Sequence, residues 1–120
     1  MIGKAILRDG YVYVEHEHVS GVDDVLQRIE DAAVLFGTGA PHRLLVDARY
    51  FHRTWRPEQG TIIVDAVKHR FPADTRIAML LPAELPAQSR SVMGGLRAAG
   101  WAVGHFTHER EALAWLMRTD

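Results

Sequence analysis

"HRLLVDA", His42–Ala48, decides the fold. Leu44, Leu45 and Val46 are consecutive apolar residues in a run too short for a helix, and the run ends on Asp47. A strand that is apolar on both sides of its pleat needs cover on both faces, which is the condition of a strand inside a parallel sheet. "TRIAMLL" (75–81) repeats the pattern, and "WAVGHF" (101–106) reads as a last strand. Upstream, "GKAILRDGYVYVEHEHV" (3–19) reads as two strands turned at Asp9-Gly10, a strong hairpin signal. In its second half Val12, Val14, His16 and His18 share one face, and Tyr11, Tyr13, Glu15 and Glu17 the other.

Helical spacing fills the intervals between these strands. Ser20 is placed to cap a helix, with Asp23 three residues on. Val22, Val25, Ile29, Ala32 or Ala33 and Phe36 follow, and Gly37 and Gly39 stop it. Pro57 suits a first helical turn, with Ile62, Ile63, Ala66 and Val67 on the buried side and Phe71-Pro72 as the end. A third helix is expected over Glu84–Ala99, with Leu85, Val92, Leu96 and Ala99 as its stripe and Gly100 as its close. Thr107 is expected to cap "HEREALAWLMR", whose Ala112, Leu113 and Leu116 face inward and whose Glu109 and Glu111 suit the positive end of the helix dipole. The order β-β-α-β-α-β-α-β-α implies one α/β domain over residues 1–120. Its sheet is mixed but mostly parallel, of about five strands, with about four helices.

The composition excludes several function classes. At 120 residues with 48% hydrophobic residues, the chain can bury a core unaided. The net charge of −1 supplies no field for long nucleic acid or an anionic membrane. With no cysteine there is no disulfide, thiolate nucleophile or Cys-based zinc site. "MIGKAILRDG" holds no signal-type apolar stretch, and "IAMLLP" is far short of the ~20 residues of a spanning helix, so a cytoplasmic protein without a transmembrane segment is expected.

"RLLVDARYF" (43–51), "TRIAMLL" (75–81) and "GWAVGHFTHEREALAWL" (100–116) give the chain a resemblance to the STAS or SpoIIAA-like group, the fold of bacterial anti-sigma-factor antagonists, and to its small stand-alone members in particular. The resemblance spans nearly the whole chain and implies partner or ligand binding, usually without catalysis. In one respect the chain departs from the group. Sigma-regulating members look like "DSSG" after the central strand, with a phosphorylatable serine, and here the stretch is "DARYFHRT". Asp47 is kept, Ala48 and Arg49 stand where the serine would be, and Thr54 is a poor substitute.

Two stretches could carry chemistry. "RYFHRTWR" follows the central strand at its C-terminal end, where open α/β sheets favour ligands. Arg49, Arg53 and Arg56 offer forked donors beside Tyr50, His52 and Trp55, the residue types of binding hot spots, with Asp47 at their base. A purely structural alternative folds the aromatics back onto the core and leaves the arginines solvated. Asp47 could orient Arg49 or His52 or act as a base, but the expectation is that it caps the loop through backbone N–H groups. His16 and His18 could both reach one metal, but a third ligand is needed: Glu15 and Glu17 point to the opposite face, His105, His42 or His69 would have to approach, and "HEH" is not a helical zinc pattern, so the wet end of a strand is the expectation. Asp65 and His69 read as a solvated pair, Trp101 and Trp115 as packing, and Gly94-Gly95 as a helix-packing contact.

The expected function is therefore a non-catalytic regulatory or interaction domain without cofactor. It would bind a protein partner or a small anionic or lipid-like ligand through Asp47 and the Arg49–Arg56 loop. Two rivals stay open. One is a small hydrolase or metal-dependent enzyme using Asp47 with His52, or His16 with His18. The other is a self-associating module, a homodimer through Trp55 or the Gly94-Gly95 face.

Overall fold

A computed structural model describes residues 3–16, 18–49, 51–53 and 55–118, and the side chains of 5–16, 21–49 and 55–118. In chain order the elements are β1 (Gly3–Arg8), β2 (Tyr11–His16), β3 (His18–Ser20), α1 (Val22–Gly37), β4 (Arg43–Asp47), β5 (Phe51–Arg53), a 3-10 turn (Pro57–Gln59), α2 (Gly60–Arg70), β6 (Arg76–Leu80), α3 (Ala87–Ala98), β7 (Ala102–Phe106) and α4 (Glu109–Leu116). The main sheet has five strands in the order β1-β2-β4-β6-β7. β1 runs antiparallel to β2, and every other neighbouring pair is parallel. The α/β class and the mixed, mostly parallel sheet with four helices are thus as expected.

The hairpin closes on Asp9-Gly10, with Arg8 opposite Tyr11. Gly10 has φ +88°, a conformation a side chain would strain. Past β2, each crossover helix advances the chain one strand in the same direction across the sheet. Crossovers of one common hand put their helices on one face. α1, α2 and α3 accordingly share a core with Val12, Val14, Leu44, Ile77 and Val103. α4 folds back alone onto the other face, over Tyr11, Tyr13, Leu45, Ala78 and Leu80. Leu44 and Leu45, adjacent in β4, point into different cores, and both are buried.

Several boundaries differ from expectation for identifiable reasons. Gly21, not Ser20, caps α1, and the carboxylate of Asp24, not Asp23, accepts the Gly21 N–H at 3.2 Å. α3 starts at Ala87, three residues after Glu84, because Leu85 precedes Pro86 and is disfavoured from helical backbone. Ala99 is an exposed C-cap, and Met93 is buried instead. Ile62 is exposed, since α2 turns Gly60, Ile63 and Val67 inward. His108, not Thr107, caps α4. The segment read as a loop after β4 contains β5, which pairs in parallel with β3. The pairing offset grows by one residue between Glu15–Asp47 and His18–Phe51, so the chain leaving β4 carries one residue more than the chain leaving β2. Such a slip bends a strand and re-aims side chains.

The double glycine in α3 divides into two roles. A Cβ on Gly95 would stand 2.8 Å from Val64 Cγ2 of α2, whereas one on Gly94 would meet nothing within 4 Å. Val64 is β-branched and has little rotamer freedom to yield. Gly94→Ala is expected to stabilise the protein by up to about 1 kcal/mol through helix propensity. Gly95→Ala should gain nothing or lose stability. Urea denaturation of the two variants checks this, and an equal gain in both would remove the close approach as the reason for Gly95.

Candidate functional site

The C-terminal end of β4 presents two different chemistries, one on each face. On the α4 face lies Asp47, buried at 7% exposure. Arg49 grips its carboxylate with Nε at 3.1 Å and NH2 at 3.0 Å, and the Arg49 backbone N–H adds a third bond at 3.3 Å. The Tyr13 hydroxyl donates to the same carboxylate at 3.2 Å. Above the Tyr13 ring sits the Arg8 guanidinium, 3.6 Å from its centroid. Burial alone would raise the Asp47 carboxyl pKa, but the hydrogen bonds and charge of Arg49 outweigh it and leave the group below its ordinary value. Burial, and then the Asp47 charge, push the Tyr13 hydroxyl well above its ordinary value, so it stays a neutral donor. Asp47 is an anion committed as an acceptor, and it both caps the turn and orients Arg49.

On the other face, between the sheet and α1–α3, lies a cavity of about 80 Å³. Aliphatic and aromatic residues make most of its wall, among them Val14, Val46, Ile63, Val67, Phe71 and Leu96. Among the described residues, the polar side chains in it are His16, Arg28, Trp55 and Ser89. His16 ends β2, Ala48 follows β4 and Ser89 sits in the first turn of α3, so the cavity reaches the C-terminal edge of the sheet. His16, Trp55 and Ser89 are 6%, 5% and 3% exposed. The Trp55 Nε1 is buried and has no hydrogen-bond acceptor among the described residues. Arg28 NH2 pairs with Asp31 at 3.0 Å.

The expected site residues do not form one constellation. Asp47 and Arg49 meet on the α4 face, while Trp55 is turned inward to line the cavity on the opposite face. Trp55 is thus no exposed anchor for a partner or a second copy. Arg56 is exposed, with Nε 3.1 Å from Glu58 Oε1 and its backbone N–H donating to Gln59 Oε1 at 2.8 Å. Tyr50 and Thr54 lie outside the described residues, as do the side chains of His18, His52 and Arg53. His16 is not the wet end of a strand, because α1 covers the face it shares with Val12 and Val14. Among the described residues no three His, Asp or Glu side chains are placed to hold a metal ion. His69 donates Nδ1–H to the backbone carbonyl of Asp65 at 2.7 Å, so that pair caps its own helix rather than joining two side chains.

Arg28 and Ser89 were not singled out from sequence, although the signal was there. Arg28 stands three residues after Val25 on the buried side of α1, and Ser89 fills the gap between Leu85 and Val92. A wider depression at the opposite edge is lined by His42, Arg43, Asp74, Arg76 and Arg118. Much of its polarity is already engaged. His42 Nδ1 lies 2.7 Å from Asp74, and Arg76 donates to the Trp115 carbonyl at 2.7 Å while stacking 4.2 Å from that ring.

Because the folded carboxyl of Asp47 titrates lower than an unfolded one, its pairing stabilises the fold above the ordinary aspartate pKa of about 4. That contribution is lost as pH falls through the folded value. Arg49→Met should therefore be less stable than wild type at pH 7, with the gap narrowing steadily below about pH 4. Chemical denaturation of both proteins across that range is the measurement, and a gap independent of pH would remove the ion pair as its source.

The chain matches no family model and no curated protein. Among solved structures it is similar to an uncharacterised protein of the DUF3478 family from Shewanella loihica, which has a SpoIIAA-like fold. The two are 12% identical with a TM-score of 0.64, over 95% of this chain and 93% of the other. The chain therefore has a SpoIIAA-like α/β fold.

Proposed function

We propose that this protein is a non-catalytic, cytoplasmic regulatory domain that holds a small lipid-like ligand between its sheet and the α1–α3 layer. The observation that carries the reading is the cavity of about 80 Å³ with mainly apolar walls and few polar groups. That combination is what small-molecule sites present. At about 24 cal/mol per Å³, such a cavity costs a fold about 2 kcal/mol that tighter packing would recover. Its reach to the C-terminal edge of the strands agrees with where open α/β sheets take ligands. Apolar cavities of roughly 150 Å³ accept a benzene-sized molecule, so this one, at about 80 Å³, suits a short alkyl group of about three or four carbons. Met79 in its wall supplies some adaptability.

Catalysis has less support. Asp47 is occupied by Arg49 and Tyr13, on the face away from the cavity. Binding of a protein partner through the segment after β4 retains Arg56 as its exposed residue, whereas Trp55 belongs to the cavity.

A methyl-resolved NMR titration with butan-1-ol tests the reading. The methyl groups of Val14, Ile63, Val67 and Leu96 should shift in a saturable way, while those of the exposed Ile6 and Leu7 stay still. Ala48→Leu, which adds volume at a buried wall position, should keep the fold and weaken binding at least about tenfold. Unchanged binding in that variant, or shifts spread evenly over the surface, would overturn the cavity as the site.

A further inference from the structure

The N-terminal ends of β4 and β6 set two arginines side by side. Arg43 and Arg76 open their strands and are direct partners in the parallel register, so both side chains leave on one face of the sheet. It is the α4 face, which they share with Leu45 and Ala78. Neighbouring strands lie about 4.8 Å apart, so two cations at paired positions repel. A carboxylate would offset that repulsion, and among the described residues none pairs with either guanidinium. Asp74, the one acid among the described residues lining the depression there, is paired with His42 at 2.7 Å. Arg76 is held by neutral groups: its NH2 donates to the Trp115 carbonyl at 2.7 Å, and its guanidinium stacks 4.2 Å from that ring. Those contacts fix its direction and leave its charge, and its Nε has no acceptor among the described residues. Arg118, past the end of α4, brings a third cation to the same depression of about 520 Å³.

We propose that this depression binds a small phosphate monoester whose phosphoryl group bridges Arg43 and Arg76. A dianion between the two cations replaces their repulsion with attraction to a shared partner. Its oxygens accept forked, charge-assisted bonds from both guanidinium groups. A carboxylate brings a single charge and one oxygen fewer, so it bridges them less well. The space of about 520 Å³ is more than a phosphoryl group fills, and it falls within the roughly 300–1,000 Å³ of small-molecule sites. The remainder, beside Gly39 and Pro41, has room for the organic part of an ester. This site lies at the opposite edge of the sheet from the apolar cavity, and it stands whether or not that cavity takes a ligand.

The test compares phenyl phosphate, inorganic phosphate and benzoate at constant ionic strength and about pH 8, where the monoester is a dianion. Amide NMR titration follows Ala40, Arg43 and Asp74, and thermal unfolding is followed in parallel. Phenyl phosphate should shift these amides in a saturable way and raise the melting temperature. It should bind more tightly than inorganic phosphate, and at least about tenfold more tightly than benzoate, which shares its ring. Arg43→Met removes a guanidinium that pairs with no described residue. That variant should melt no lower than wild type in chloride buffer and should bind phenyl phosphate at least about tenfold more weakly. Arg110→Met, which removes an equal charge from the exposed side of α4, should bind as wild type does. Unchanged binding in Arg43→Met, an equal loss in Arg110→Met, or benzoate as tight as phenyl phosphate would each overturn the site. Inorganic phosphate binding as tightly as phenyl phosphate would overturn the ester. An Arg43→Met protein that melts below wild type in chloride would show the charge already compensated within the fold, and the proposal would fail with it.

Discussion

β4 is the centre of this protein because it cannot be left bare on either face. Leu44 and Leu45 are consecutive and both buried, so cover is needed above and below the sheet. The crossovers between β2, β4, β6 and β7 all advance the same way, which stacks α1, α2 and α3 on one face. The other face is left to α4, eight residues long, assisted by Tyr11 and Tyr13 from the hairpin. The unequal layers give the two faces of β4 their different surroundings.

The division separates structure from function at the residues after β4. Asp47 and Arg49 neutralise each other on the thin side, with Tyr13 completing the carboxylate's partners. This network holds the start of the segment in place, and it leaves the anion little capacity to act on anything else. On the thick side, Ala48 and Trp55 face the space under the helices. The one-residue slip in pairing between β2–β4 and β3–β5 falls between Asp47 and Phe51, in the segment that begins with Ala48 and ahead of Trp55. It lies where the chain passes from framework to cavity wall.

Gly95 shows the same logic at a helix contact. α2 and α3 approach closely enough that Val64 occupies the place of a Cβ, so the layer over the cavity is tightly joined along that seam. The space that remains lies between this layer and the sheet rather than between its helices. Where Asp47 is sealed by its neighbours, the Trp55 Nε1–H has no acceptor among the described residues. Of the residues in the Asp47–Arg56 stretch whose side chains are described, Ala48 and Trp55 line the cavity, and Trp55 brings a polar group to it.

The sequence by itself determined the class and order of the elements. Hydrophobic periodicity, Asp9-Gly10 and the apolar strands are local signals set by backbone geometry, and they led to the α/β sheet observed. Helix ends were less legible, because the effect of Pro86 on Leu85 and the choice of Gly21 over Ser20 depend on how the chain enters each helix. The presence of Arg and Trp after β4 was legible as well. Their directions were decided by tertiary structure, since alternation along a strand names two faces without saying which lies under three helices and which under one. The cavity could not be read at all. It is a difference between the volume enclosed by sheet and helices and the volume of the side chains that fill it, and such a difference exists only once distant segments meet.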